Sequence, residues 1–235
     1  MRTIGIVGGM SWESSLEYYR IINQLVNQKL GGLHSAQLVM VSVDFAPIEE
    51  SMSRGEWGKV TEHIVVAARQ VEMAGADLLL IATNTMHKLY FQVSQLVSIP
   101  VLHIADAAAE SILNAGLTRI GLLGTRYTME QDFYKNRLKE QFGLVVLIPG
   151  ESDCEEIDRV IFGELVLGKV KPKSKAEYLR IIEDLVAKGA QGIILGCTEI
   201  MLLVQPQDVS VPVFDTTYLH AEMAVRLALG ERAMI

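Results

Sequence analysis

The sequence predicts an α/β protein of two pseudo-symmetric lobes, each a parallel sheet flanked by helices, with an active site in the cleft between them. Two observations lead there. Short apolar runs such as Thr3–Val7 (TIGIV), Asp77–Ala82 (DLLLIA) and Ile193–Leu195 alternate with segments of helical periodicity. Those runs are continuously apolar, the pattern of strands covered on both faces.

The second observation is an internal repeat. Gly75, Ala76, Ile81 and Thr83 match Gly189, Ala190, Leu195 and Cys197 at an offset of 114. Ile4-Gly5-Ile6-Val7-Gly8 returns as Ile120-Gly121-Leu122-Leu123-Gly124 at 116, Tyr19 matches Tyr134 at 115, and Ser98-Ile99-Pro100-Val101 matches Ser210-Val211-Pro212-Val213 at 112. Four blocks in the same order at nearly constant offset indicate a duplication. The lobes are then 1–98 with 213–235, and 99–212. As counterparts in the repeat, Thr83 and Cys197 are expected to approach one ligand from opposite sides.

Taken in order, the first strand runs into Gly8-Gly9-Met10-Ser11 and a helix from Trp12 to about Leu30, with Leu16, Tyr19, Ile22, Leu25 and Val26 on its inner face. Ser11 is the expected N-cap and Gly31-Gly32 the stop. A strand over Gln37–Val43 precedes a polar loop through Asp44, Pro47 and Arg54, then a helix from Trp57 to Met73. The strand at Asp77–Ala82 opens onto Thr83-Asn84-Thr85-Met86-His87 and a helix to Ser98. Strand starts at Pro100-Val101, Arg119–Leu123, Leu144–Ile148, Ile193–Leu195 and Val211–Phe214 alternate with helices at Ala105–Ala115, through Tyr134 and Leu138, at Glu155–Val166, Lys175–Lys188 and Leu219–Leu229.

Composition narrows the function. The chain has 235 residues, half of them hydrophobic, and a formal charge of −7, which argues against a nucleic-acid partner. Two cysteines, Cys154 and Cys197, make no disulfide framework, no signal-peptide core opens the chain, and no run of about 18 apolar residues suggests a membrane span. A reducing, cytoplasmic setting is expected. No HxH or HExxH spacing is present, so no metal site is expected.

Candidate site residues cluster after the strands. Cys197 follows Gly196 at a strand's carboxyl end, where ligands bind in open α/β sheets, with Thr198 and Glu199 beside it. The thiol could serve as nucleophile or base, or be a small buried cysteine. The Gly8–Ser11 and Gly124–Thr128 loops could offer backbone N–H groups to an anion. Asn84, Thr85, Thr198 and Glu199 suit capping or ligand contact alike. His87 reads as a surface or cap-region residue. Arg54 and Lys169 could clamp a carboxylate, and Cys154, in an acidic segment, reads as a bystander.

IGIVGGMS with Trp12 and Tyr18-Tyr19, ATNTMH at 82–87, GLLGT at 121–125 and GCTEI at 196–200 together resemble the aspartate/glutamate racemase family. The resemblance covers nearly the whole chain. It implies a cofactor-independent amino-acid racemase, often a homodimer, in which two cysteines on opposite faces of the substrate Cα act as base and acid. This chain departs from that pattern where the family has its first cysteine, for it has Thr83. The resemblance implies Cys197 as the base on an L-amino acid, with Thr83 or a water it holds on the other face. Met10, Ser11, Asn84, Thr85, Thr125 and Thr198 match positions that line the family's pocket. Lys169, and Arg54 less closely, resemble the family's receivers of the distal carboxylate, and Glu199 either orients Cys197 or meets the substrate amine. Two other readings stay open: a single-cysteine decarboxylase or isomerase of the same superfamily, and an amino-acid-binding homologue that has lost catalysis.

Overall fold

The computed structural model describes residues 1–231; the last four residues of the expected first lobe, 232–235, lie outside the described residues. The chain forms two compact units, one of Met1–Ile104 with the chain from His220 onward, the other of Ala105–Leu219. The elements are β1 (Ile4–Gly8), α1 (Trp12–Leu30), β2 (Leu38–Ser42), α2 (Phe45–Ser53), α3 (Trp57–Met73), β3 (Leu78–Ile81) and α4 (Tyr90–Leu96), with a 3-10 turn at Thr85–Leu89. α5 (Ile104–Asn114) leads into β4 (Arg119–Gly124), α6 (Arg126–Glu130), α7 (Asp132–Phe142), β5 (Val145–Leu147), α8 (Glu151–Gly163), α9 (Pro172–Ala187), β6 (Ile193–Gly196), α10 (Ile200–Leu203) and β7 (Val213–Asp215). α11 (Thr216–Ala228) returns the chain to the first unit.

Both sheets are parallel and share one strand order. The first is β2-β1-β3, extended by a parallel bridge from Leu79 to Val101; the second is β5-β4-β6-β7. Val7 pairs with Ile81 and Leu123 with Leu195, the same register in each unit. Leu79 N donates to Pro100 O at 2.8 Å and Ile193 N to Pro212 O at 2.9 Å. The repeat read from the sequence is therefore a repeat of strand pairing.

The glycine inside each first strand has a packing reason. A Cβ on Gly5 would lie 2.3 Å from Val71 Cγ1 of α3. One on Gly121 would lie 3.1 Å from Leu185 Cδ1 of α9 and 2.6 Å from Ile193 Cδ1. Only hydrogen there lets helix and sheet approach this closely. On the opposite face of the first sheet, α1 and α11 close over Ile4, Ile6, Leu78 and Leu80 with Tyr18, Ile22, Ala221, Ala224 and Val225. Complete burial of each large aliphatic side chain contributes about 1.5–3 kcal/mol. No described helix is long and apolar enough to cross a membrane.

Several elements differ from the sequence reading. Leu16 and Tyr19 of α1 are 55% and 52% exposed, and the buried face is Ser14, Ser15, Tyr18, Ile21, Ile22, Leu25 and Val26. The first turn lies close to β1: a Cβ on Gly8 would meet Ser15 Oγ at 2.5 Å. The tyrosine that matches Tyr134 is accordingly Tyr18, which is equally buried, and not Tyr19. The stretch expected as a polar loop is α2. Asp44 caps it by accepting from Ala46 N at 3.2 Å, Pro47 falls in the first turn where its missing N–H costs nothing, and Ile48 and Met52, one turn apart, are buried. The expected helix through Tyr134 is two helices broken at Gln131, whose φ of −79° and ψ of 154° are extended. Ser11 and Gly31 cap α1 as anticipated.

Candidate active site

In each unit two neighbouring strands end side by side, and their loops carry most of the expected residues. β1 and β3 deliver Gly8–Ser11 and Ala82–His87 to one sheet end. β4 and β6 deliver Gly124–Thr128 and Gly196–Glu199 to one sheet end, with Gly124 paired to Gly196.

The first loop is organised by serines. Gly9, at φ 95°, turns so tightly that a Cβ would meet Val43 O at 2.2 Å, and its N–H donates to Ser15 Oγ at 2.7 Å. That amide, a candidate anion donor in the sequence, is thus taken up inside the protein. Ser11 Oγ accepts from Ser14 N at 3.3 Å, and Met10 and Ser11 are both buried.

Beside it, Thr83 is half-buried, and Asn84 and Thr85 are buried. Asn84 precedes the 3-10 turn without a side-chain capping bond, so capping does not account for it. His87 is the main correction in this loop. It is 2% exposed, not a surface residue. Ile104 N donates to His87 Nε2 at 3.1 Å, so the ring proton is on Nδ1, which donates to Thr83 O at 2.8 Å. The ring thereby fixes the backbone of Thr83. The interval of four residues, one helical turn, was the available signal, but the burial that gives it meaning comes from elsewhere in the chain. The His87 ring packs 4.7 Å from His103 and 5.5 Å from His220. Burial beside His87 keeps His220 neutral far below the usual histidine range; it donates through Nε2 to Leu102 O at 3.1 Å and accepts at Nδ1 from Tyr18 Oη at 2.9 Å.

In the second unit, Cys197 stands on the loop after β6, and its Sγ–H donates to Glu199 Oε2 at 2.9 Å. Burial, and then the Glu199 carboxylate, push the thiol well above its ordinary range, so it is protonated at neutral pH. Glu199 itself is buried, begins α10 without capping it, and so has its carboxylate directed to the thiol. Thr198 is half-buried. On the adjacent loop Thr125 caps α6, accepting from Thr128 N at 3.4 Å, and Asp158 accepts from Arg126 N at 2.8 Å.

The two cationic candidates are both exposed. Arg54 is at the C-terminal end of α2, exposed and paired with Glu50 at 2.6 Å. Lys169 follows Gly168 in an exposed loop between α8 and α9 and has no ion pair among the described residues. Cys154 is buried near Met129, and its thiol is pushed up to about 11, by burial first and by Glu130 next.

A family model for the Asp/Glu/Hydantoin racemases matches residues 7–224. A solved structure from Yersinia pestis, named as a candidate Asp/Glu racemase, is 50% identical, with a TM-score of 0.92, covering 97% of this chain and all of that one. The aspartate racemase homologue of Pyrococcus horikoshii OT3 is 36% identical with a TM-score of 0.85, again covering 97% of this chain and all of that one. The broad specificity amino-acid racemase RacX of Bacillus subtilis (strain 168) is 20% identical over 97% of this chain and 98% of its own length. The match in sequence spans both β-ended loop clusters, and the chain belongs to the Asp/Glu/Hydantoin racemase family, an isomerase of the amino-acid racemase class.

Proposed function

We propose that the protein is a cofactor-independent racemase of L-aspartate- or L-glutamate-like substrates, with Cys197 as the base on the L-enantiomer. The observation that carries this is the Cys197 Sγ–H bond to Glu199, 2.9 Å long, on a strand-end loop whose counterpart in the repeat holds Thr83. A thiol held above its usual range is a proton acceptor only once its own proton has left. Glu199 is the group in reach to take that proton. The thiolate then takes the α-hydrogen, the electron pair is held as an enediolate at the substrate carboxylate, and a proton returns to Cα on the other face. Thr83, whose hydroxyl is far too weak an acid to form a base, fits only the returning role, directly or through a water, with solvent replacing the proton it gives. Met10, Ser11, Asn84, Thr85, Thr125 and Thr198 surround the substrate in this reading. Lys169 receives the distal carboxylate; Arg54, committed to Glu50, is the weaker choice.

Exchange of the α-hydrogen in heavy water, followed by NMR for both enantiomers of aspartate and glutamate, tests the proposal. Exchange from the L-enantiomer should greatly outpace exchange from the D-enantiomer. Equal rates would overturn the division of roles. No exchange, together with decarboxylation of a substituted malonate, would overturn racemisation in favour of the single-cysteine decarboxylase. Binding that stabilises the fold without any exchange would favour a ligand-binding homologue.

A further inference from the structure

The segment Gly168-Lys169-Val170-Lys171-Pro172-Lys173-Ser174-Lys175 carries four lysines at alternate positions, and its apolar residue Val170 is 52% exposed. No hydrophobic anchor holds it. A single buried carboxylate does. Glu164, 3% exposed at the end of α8, accepts from Ser174 Oγ at 2.6 Å and pairs with Lys171 Nζ at 3.2 Å and Arg159 Nη1 at 3.1 Å. Its backbone carbonyl also accepts from Lys169 N at 2.9 Å. One residue thus grips the segment at positions 169, 171 and 174. These partners, Ser174 foremost, hold the Glu164 carboxyl at about 2, so it is charged at any working pH. Lys175 is taken up by Asp208 at 2.6 Å.

We infer that Glu164 is a positioning residue for Lys169: it fixes the backbone at Lys169 and occupies Lys171, so that Lys169 meets the substrate's distal carboxylate. The inference rests on the role given to Lys169 under Proposed function. A loop released from Glu164 must be ordered again at each binding event, and that conformational entropy is lost from affinity rather than from the chemical step.

The test is a double-mutant cycle on α-hydrogen exchange of L-aspartate and L-glutamate, with Lys169→Ala, Glu164→Gln and the pair. Glu164→Gln should raise KM about five- to tenfold and leave kcat within about twofold, the mark of lost uniform binding. In the Lys169→Ala background it should add almost nothing, since there is no cation left to position. If Lys169→Ala raises KM and Glu164→Gln does not, or if the two effects multiply, the inference is overturned while the reading of Lys169 stands. An unchanged KM in Lys169→Ala overturns both. Should Glu164→Gln fail to fold, Ser174→Ala, which removes one donor and keeps the carboxylate, replaces it in the cycle. A smaller rise in KM supports the inference, and an unchanged KM refutes it.

Discussion

The loops after β3 and β6 occupy the same place in two copies of one strand pattern, yet they hold their central residue in different ways. Thr83 is fixed through its backbone, by His87 Nδ1–H at 2.8 Å. Cys197 is fixed through its side chain, by Glu199 at 2.9 Å. The first arrangement sets the position of a hydroxyl and leaves its chemistry alone. The second changes the chemistry: burial, and then the carboxylate, raise the thiol's proton affinity. A duplicated fold keeps its geometry readily, because register and packing are shared by many residues. Proton transfer depends on one atom at each end, so the two copies can diverge there without disturbing the sheet.

The largest expected effect comes from exchanging the two loops' residues. Cys197→Ser should lower exchange from the L-enantiomer by about 10³-fold or more, because a serine hydroxyl is almost never ionised at neutral pH. Thr83→Cys should raise exchange from the D-enantiomer relative to the L-enantiomer, by restoring a thiol to the other copy. If Thr83→Cys leaves that ratio unchanged, the two loops do not serve opposite faces.

A smaller effect isolates Glu199. Since the native thiol is raised above its ordinary range, kcat/KM for the L-enantiomer should climb with pH through neutrality and beyond, as the thiolate fraction grows. Glu199→Gln removes the nearby negative charge, so the thiol falls and the rising limb moves to lower pH. On the plateau the thiol is already ionised and needs no acceptor, so the rate there should stay within about threefold. A limb that stays in place would show that Glu199 does not govern the thiol.

The smallest effect compares the tyrosines. Tyr18 Oη donates to His220 Nδ1, whereas Tyr134 Oη is fully buried with no hydrogen-bond partner among the described residues. The offset of 112 that relates Pro100 to Pro212 gives His220 the counterpart Ala108, which cannot accept a hydrogen bond through its side chain. Tyr18→Phe should destabilise by about 1–3 kcal/mol by orphaning a buried imidazole nitrogen, and Tyr134→Phe should be neutral or slightly stabilising. Urea denaturation of both variants measures the difference; equal losses would mean that Tyr134 has a partner in solution.

Much of this was legible early. Apolar runs, glycines and the Pro100/Pro212 match carried the two sheets and their duplication, because short apolar runs mark buried strands and repeat wherever the sequence does. The same runs placed Thr83, Asn84, Thr85, Cys197, Thr198 and Glu199 at strand ends. Helical periodicity misjudged the inner face of α1, where two buried serines broke the apolar stripe, and α2, where polar residues concealed the Ile48–Met52 pair.

What the sequence by itself determined is the repeat, the fold class and the matching places of Cys197 and Thr83 in that repeat, all properties of residue type and spacing. Only the tertiary structure decided that His87 is buried against Ile104, that Glu164 grips a loop at three points, and that Glu199 receives the Cys197 proton bond instead of capping α10. The reason is physical: a polar side chain's role is set by the partner within 3 Å and by the water it has lost, and neither is encoded in the residues beside it.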